Sequence, residues 1–172
     1  MKMGDHHRRP SGPECYMFDG VRFATQEIRT YFVTSVTANR RRLFQVSANA
    51  NLMLEVLQHY RKQNQFALHA FVIMPDHLHL LITPVFNVSL EKSFQYIKGG
   101  FSFRLKSKLE VWERGFNEAQ IRCAEKFEGC RRYIEENPVL AGLSASPEGY
   151  AFSSARADQD VDPIPRHFLR PH

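Results

Sequence analysis

Two histidines separated by one leucine, His77 and His79, lie near the middle of the chain. Residues 68–82 are apolar on both sides of a turn-like sequence at residues 74–76, which predicts two strands joined as a hairpin. Side chains alternate between the faces of a strand, so the two imidazoles should lie on one side, roughly 7 Å apart along it. Leu78 and the other alternating apolar residues then face the opposite side and can be buried. Two imidazoles in this arrangement can hold a metal ion, although a pair of half-exposed strand histidines has the same pattern.

A second candidate pair, Tyr133 and Asn137, is four residues apart in a segment whose apolar residues recur at helical spacing. Residues at this spacing lie on neighbouring turns of one helix face. Tyr133 falls on the flank of the predicted buried stripe of Phe127, Cys130 and Ile134, so its hydroxyl can stay accessible, as a nucleophile requires. An ordinary amphipathic tyrosine has the same position, and an asparagine before a proline is common at a helix end. Spacing alone therefore favours the structural interpretation of both residues.

The composition indicates one globular domain. The chain has 172 residues, of which 43% are hydrophobic, and it contains no apolar run of the ~18 residues that a membrane span needs. The first residues are charged without a following apolar stretch, so no secretory signal is expected and the cytoplasm is the predicted location. The three cysteines are odd in number and form no C-x-x-C motif, which favours small core residues over a disulfide or zinc scaffold.

The charge pattern favours a polyanionic partner. The net charge is +5, and the basic residues cluster in a chain that also contains 14 phenylalanines and 6 tyrosines. A solvated surface explains such clusters in the simplest way, but this combination is typical of nucleic-acid-binding proteins. The candidate DNA contacts are Arg40, Arg41, Arg42, Lys98, Arg104 and Arg122.

Seven secondary-structure elements are predicted to carry these residues, in the order strand, helix, strand, strand, helix, strand, helix. The predicted ranges are 28–37, 49–63, 66–74, 77–83, 90–105, 111–116 and 123–136. The first six match an α+β, ferredoxin-like plan, an antiparallel sheet with helices on one face, to which the last adds a C-terminal helix carrying Tyr133. Ser89 is the expected N-cap of the second helix, and Pro138 is expected to end the third.

The predicted organisation has three parts. Residues 1–24 are expected to form a flexible N-terminal arm, residues 25–156 a single domain, and residues 157–172, which are acidic and contain prolines, a disordered tail. Gly99 and Gly100 inside the second helix indicate either a close approach of another element or a kink.

Several segments together resemble the single-tyrosine transposases of the HUH endonuclease superfamily, and in particular their REP-associated branch. The string Phe71-Val72-Ile73-Met74-Pro75-Asp76-His77-Leu78-His79 has the family's His-hydrophobic-His character. The other matching segments follow in the family's order at residues 96–102, 111–116, 121–122, 133–143 and 153–154. The resemblance covers about residues 28–155, and the ordered set is far more specific than a His-x-His alone.

The resemblance implies a definite chemistry. His77 and His79 match the family's metal-ligand histidines, Tyr133 its nucleophile, and Asn137 the polar residue that completes the metal site. The implied cofactor is a divalent metal, Mg²⁺ or Mn²⁺. The implied activity is cleavage and rejoining of single-stranded or hairpin DNA at repetitive extragenic palindromes through a 5′-phosphotyrosine. The protein would act on the nucleoid as a monomer or homodimer. One departure is Ala119, which stands where the family usually has a histidine, and the resemblance then implies weaker activity if that histidine supports the site or binds DNA.

Three other functions compete with this interpretation. A nucleotide hydrolase of the histidine-triad type needs a third alternating histidine, where this chain has Leu81. An RNA-recognition-like binding module stacks bases on aromatic residues of its sheet, whereas the predicted third strand carries the two histidines. A domesticated transposase that binds repeats without cutting them stays open because of Ala119. Metal-dependent DNA cleavage separates the enzyme from both binding functions.

Overall fold

Two neighbouring apolar strands form the centre of the sheet in the computed structural model, which describes residues 27–169. The strands are β1 (Thr30–Val36), β2 (Phe66–Met74), β3 (His77–Pro84) and β4 (Asn117–Ile121). The helices are α1 (Ser47–Lys62), α2 (Leu90–Leu105) and α3 (Ala124–Leu140), with short 3₁₀ turns at Ala38–Arg40, Leu43–Gln45, Pro147–Gly149 and Arg166–Phe168. None of the described helices is long and apolar enough to cross a membrane.

The sheet has the strand order β2-β3-β1-β4, and every neighbouring pair is antiparallel. This order and the sequence of elements confirm the predicted ferredoxin-like α+β fold. The β2–β3 hairpin has the predicted bounds, apart from one more residue in β3. Ser89 caps α2 as expected, because its Oγ accepts a hydrogen bond from the Lys92 N–H at 3.0 Å.

The two faces of the sheet are covered by different helices. On one face, Val33, Leu78 and Leu80 pack with residues of α1 and α2. On the other face, Val72 and Leu81 pack with Phe127 and Ile134 of α3. The alternation of side chains in β3 therefore sends Leu78 and Leu80 toward α1 and α2, and it sends both histidines, with Leu81, toward α3. This division places the candidate metal ligands beneath the helix that carries Tyr133.

The fourth strand differs from its prediction. Residues 111–116 were expected to form it, but the strand is Asn117–Ile121, and Trp112 makes only an isolated bridge with Thr37. Trp112 is a core residue that packs against Phe44 and Phe101. Its apolar neighbourhood has the composition of a strand, whereas β4 is an exposed edge strand held by its backbone pairing to β1.

The third helix also differs, because it continues through Pro138 to Leu140. A proline removes only one backbone donor, and here it lies in the last turn, where the helix already ends in a Schellman motif. In that motif Leu143 N–H donates to the Pro138 carbonyl at 2.8 Å, and Gly142 N–H to the Val139 carbonyl at 2.9 Å. Gly142 has a positive φ of 69°, the conformation that this motif requires.

The predicted disordered tail is wrong for residues 157–169, which lie along the domain. Arg61 of α1 bonds Asp160 at 2.6 Å and Asp162 at 2.8 Å. Asp162 also pairs with both backbone groups of Leu68, on the outer edge of β2. Residues 152–154 bond the same edge further along, so the C-terminal segment covers an edge strand that would otherwise be open. The predicted flexible arm, residues 1–24, lies outside the described residues.

The glycine pair in α2 has two different environments. A Cβ on Gly100 would lie 2.8 Å from the Tyr60 ring, whereas one on Gly99 would meet nothing within 4 Å. The predicted close approach is therefore made by a side chain of α1, at Gly100 alone.

Candidate metal and nucleophile site

The two histidines lie on the sheet face that α3 covers. Their ring centroids are 4.8 Å apart in an edge-to-face arrangement. His79 is opposite Thr34 of β1, and His77 is opposite Val36. His79 is only 7% exposed, while the His77 side chain is 20% exposed. The same-side geometry expected from the sequence is thus present, with one imidazole buried and the other near the surface.

Each histidine has its Nδ1 engaged by a neighbour. The Asp76 Oδ1 lies 2.6 Å from His77 Nδ1, and the Thr34 Oγ1 lies 2.8 Å from His79 Nδ1. Neither Nε2 has a hydrogen-bond partner within the described residues. Histidines that bind metals commonly use one ring nitrogen for the ion and the other for a carboxylate or similar acceptor. The two Nε2 atoms are therefore the candidate ligands.

Burial favours the neutral, metal-competent form of His79. Desolvation, and secondarily the charge of His77, lowers the pKa of His79 to about 4. The ring is then neutral at pH 7, and one nitrogen lone pair is available. Asp76 stays ionised beside His77, because its bonds to His77 and Arg40 outweigh burial and lower the pKa of its carboxyl.

Tyr133 contacts the buried histidine, His79, directly. Its ring centroid lies 5.6 Å from that of His79 and 5.9 Å from that of Phe32, which itself stacks on His79 at 5.5 Å. The residue is 46% exposed, so the ring is anchored at one edge while the side chain remains open to solvent. The predicted nucleophile is therefore beside the predicted metal ligands and accessible to a substrate.

Asn137 follows one helical turn after Tyr133, toward the C-terminal end of α3. It is 9% exposed, and its side-chain amide makes no hydrogen bond within the described residues. Among the described residues the only fully buried side-chain polar atom without a partner is the Ser35 hydroxyl, so the Asn137 amide keeps some contact with solvent and its oxygen is free to accept a ligand. Asn137 thus has a chemical property expected of the residue that completes a metal site.

The separation of the two imidazole rings is compatible with a shared ion. With metal–nitrogen bonds of about 2.1 Å and about 1.1 Å from nitrogen to ring centre, ligands at 90–110° would have centroids roughly 4.5–5.2 Å apart. The observed separation of 4.8 Å lies in that interval. The described part of the chain contains no cluster of three or more His, Cys, Asp or Glu side chains suited to a metal. An ion here would therefore depend on two imidazoles, an amide oxygen, and oxygens of substrate or water.

The basic turn at residues 40–42 lies beside this site. Thr37 N–H donates to the Asp76 carbonyl at 2.9 Å, which joins the end of β1 to the hairpin turn. Arg40 approaches Asp76 at 3.4 Å, and Arg42 is exposed. Arg41 is partly used internally, because it donates to the carbonyls of Ala38 and Glu110. Arg40 thus lies beside the turn that leads into His77, and Arg42 is an exposed cation two residues further along the chain.

The other predicted DNA contacts lie elsewhere. Lys98 donates to the carbonyls of Glu113 and Gly115 at 2.8 and 2.7 Å, so it supports the loop before β4. Arg104 pairs with Glu55 of α1, on the far side of the sheet. Arg122 follows Ile121, which pairs with Thr30 at the end of β1 remote from His77. The structure does not bring these three to the histidines.

Two further positions bear on the chemistry. Glu135 is a carboxylate two residues after Tyr133 in α3, and it pairs with Arg131 at 3.3 Å. Residues two apart on a helix do not share a face, so it points away from Tyr133. Ala119 is opposite Phe32 in the sheet and faces the same side as the site. Ala119 is exposed, and its methyl group offers no polar atom to the site.

Phe32 and Thr34 are site residues that the sequence did not reveal, since both were assigned only to the first strand. Their period-2 spacing placed both on one face, but the register that sets them beside His79 depends on the pairing of β1 with β3.

Comparison with known proteins gives the family to which this fold and these paired histidines belong. The family model of IS200-like transposases matches residues 26–137. The chain belongs to that family.

Three individual proteins are similar to the chain. A Haemophilus influenzae (strain Rd) protein described as uncharacterized is 26% identical over 171 residues, covering 80% of this chain and 91% of its own. A solved REP-associated tyrosine transposase bound to a REP hairpin is 23% identical, with a TM-score of 0.67 over 84% of this chain and 90% of that one. A putative transposase from Deinococcus radiodurans R1 is 19% identical, with a TM-score of 0.45 over 70% of this chain and 97% of that one.

Proposed function

We propose that this protein is a single-tyrosine DNA strand transferase that cleaves and rejoins single-stranded DNA at palindromic repeats through a 5′-phosphotyrosine. The observation that supports this most directly is the contact between Tyr133 and His79, whose Nε2, like that of His77, has no partner among the described residues. Nucleophile and candidate metal ligands thus occur together within one chain, as a phosphoryl-transfer site requires.

The residues would divide the work as follows. His77, His79 and Asn137 would hold a divalent ion, Mg²⁺ or Mn²⁺, which would withdraw charge from a non-bridging phosphate oxygen. The Tyr133 hydroxyl oxygen would form a bond to phosphorus while the bond from phosphorus to the 3′ oxygen breaks. The products are a 5′-phosphotyrosine and a free 3′ hydroxyl. Attack by a 3′ hydroxyl reverses the step, so rejoining needs no ATP.

The tyrosine must lose its proton as it attacks, since a free phenol has a pKa of about 10. Glu135 is turned toward Arg131 and does not serve as the acceptor. Because Tyr133 is 46% exposed, water at the site can take the proton. The rate would then rise with pH in the neutral range.

The proposed substrate is a single strand next to a hairpin, of the repetitive extragenic palindrome type. Support comes from the fold shared with a transposase described as bound to a REP hairpin. It also comes from the basic turn beside the site, where Arg40 approaches Asp76 and Arg42 is exposed. The protein would act on the nucleoid in the cytoplasm.

A second candidate function is binding of the same repeats without cleavage. Ala119 favours it, because a small residue faces the site where the resembling family usually has histidine. The divalent-ion dependence of strand cleavage discriminates the two functions.

The test is an adduct assay with Tyr133→Phe, which removes one oxygen and little volume. Labelled single-stranded repeats that flank the gene are incubated with Mn²⁺ or Mg²⁺ and separated on a denaturing gel. The wild type should form a covalent adduct, and Tyr133→Phe should bind the DNA without forming one. Tyr96→Phe is the matched control, because Tyr96 lies on α2 beyond the sheet and stacks on Tyr60. An undiminished adduct from Tyr133→Phe refutes the assignment of the nucleophile, and no adduct from the wild type favours the binding-only function.

A further inference from the structure

The buried histidine, His79, has a single polar contact within the described residues. That contact is the Oγ1 of Thr34, 2.8 Å from its Nδ1. Thr34 belongs to β1, a strand that carries neither a candidate metal ligand nor the nucleophile. The pairing of Thr34 with His79 across β1 and β3 makes the contact a property of the sheet register.

Aromatic neighbours fix the plane of the His79 ring. Phe32 stacks on it with an interplanar angle of 21°, and Tyr133 meets it edge to face at 63°. A ring held in this way cannot turn to find another partner for Nδ1. The nearest available acceptor for an Nδ1–H is therefore the threonine hydroxyl.

We propose that Thr34 is a positioning residue of the metal site, accepting a hydrogen bond from the Nδ1–H of His79 and so keeping the Nε2 lone pair for a divalent ion. This inference rests on the proposed function, because it concerns the same metal site.

A neutral imidazole has two tautomers, and only one of them can bind an ion at Nε2. One nitrogen carries the proton and the other the lone pair, so an ion on Nε2 requires the proton on Nδ1. Since His79 is 7% exposed, water has little access to that Nδ1–H. Without Thr34 the metal-binding form would bury an unpaired donor, whereas the other tautomer would bury only an unpaired acceptor. Loss of the hydroxyl should therefore lower the affinity for the ion more than it lowers the stability of the fold.

His77 is held differently, by the Asp76 carboxylate at 2.6 Å. A carboxylate only accepts, so it selects the Nδ1–H tautomer without help. A hydroxyl can donate or accept, and so Thr34 permits the tautomer that binds the ion without forcing it.

Three substitutions separate positioning from general stability. Thr34→Val keeps the shape and removes the hydroxyl, and Thr34→Ser restores it. Thr30→Val is the matched control, because Thr30 lies on the same face of β1 and its hydroxyl bonds Thr83 at 2.7 Å. Thr30 is fully buried, so its substitution should disturb the strand at least as much.

The primary measurement is Mn²⁺ affinity of the DNA-free protein, followed by the electron paramagnetic resonance signal of free Mn²⁺. The Thr34→Val variant should bind Mn²⁺ about tenfold more weakly than the wild type, as is typical when a hydrogen-bond partner of a ligand histidine is lost. Thr34→Ser and Thr30→Val should stay close to the wild type. In the adduct assay, Thr34→Val should need about tenfold more Mn²⁺ and then approach the wild-type rate. Repeat binding in EDTA should be unchanged.

Equal Mn²⁺ affinity in Thr34→Val and wild type overturns the proposal, as does an equal loss in Thr30→Val. A wild type that binds no Mn²⁺ overturns both this inference and the metal-dependent function. A wild type that binds Mn²⁺ but forms no adduct refutes only the proposed function, and the affinity series then still decides the role of Thr34.

Discussion

The acid sensitivity of the fold should depend strongly on His79. Its pKa is lowered to about 4, chiefly because charging the ring would place a cation beneath α3. The unfolded chain has no such constraint, and its histidines titrate near 6.5. Between about pH 6.5 and 4 the unfolded state therefore binds more protons than the folded state, and stability falls as the pH is lowered through that window.

The size of the effect follows from the two pKa values. Between about pH 7.5 and pH 5, a shift from 6.5 to 4 removes about 2 kcal/mol of stability, and below both pKa values the loss reaches about 3 kcal/mol. The ring is 7% exposed, so solvent screening does little to reduce these figures. Above neutral pH this loss of stability is absent, since His79 is neutral in both states.

The assay is urea unfolding in EDTA at several pH values, for the wild type and for His79→Gln, which cannot titrate. At pH 7 the free energies of unfolding of the two proteins differ by the cost of the substitution itself, and this difference serves as the baseline. From about pH 7.5 to pH 5 the wild type should lose about 2 kcal/mol more than the variant. Parallel losses in the two proteins would mean that His79 titrates normally and is not desolvated. An imidazole NMR titration would measure the pKa of His79 directly.

Two other predictions follow from the structure. Gly99→Ala should stabilise the protein by up to about 1 kcal/mol through helix propensity. The Gly100→Ala variant should be less stable than the Gly99→Ala variant by more than about 1 kcal/mol. The reason is that the new methyl group would press on the Tyr60 ring, which is already stacked on Tyr96. Equal melting temperatures for the two variants would contradict this. Repeat binding should weaken by a factor on the order of several hundred between 50 and 200 mM salt if about five phosphates are contacted. Arg42→Ala should lower the slope of log affinity against log salt by about 1, whereas Arg104→Ala should leave it unchanged.

The central hairpin could be predicted from sequence because its signals are local. Residues 66–84 combine apolar runs with a turn at Pro75 and Asp76, and the strands begin and end close to the predicted positions. The fourth strand could not be predicted in the same way. Asn117, Glu118 and Ala119 are exposed and lack strand-forming composition, so only their pairing with β1 makes them a strand.

The ordered C-terminal segment also could not be predicted from local composition, because its order depends on contacts with residues far away in the chain. Asp160 and Asp162 look like a solvated acidic tail until the chain has folded and Arg61 lies beside them. The side chain of Arg61 is 13% exposed, so its charge belongs to this contact and does not contribute to a DNA surface. Charge type alone likewise cannot distinguish Lys98, which supports a loop, from Arg42, which is exposed.

The candidate site depends both on local sequence spacing and on contacts between distant parts of the chain. His77 and His79 are two residues apart, and Tyr133 and Asn137 are one helical turn apart, so spacing places the members of each pair on one face, while the family resemblance suggests their roles. The contact between the pairs requires α3 to pack on the histidine face, which apolar spacing made possible but did not specify. Thr34 and Phe32 depend on register alone, because shifting β1 by one residue would turn both toward α1 and α2. The residues that should tune this site are therefore the ones that sequence spacing is least able to identify, and substitutions on β1 test the site more sharply than further changes to the histidines.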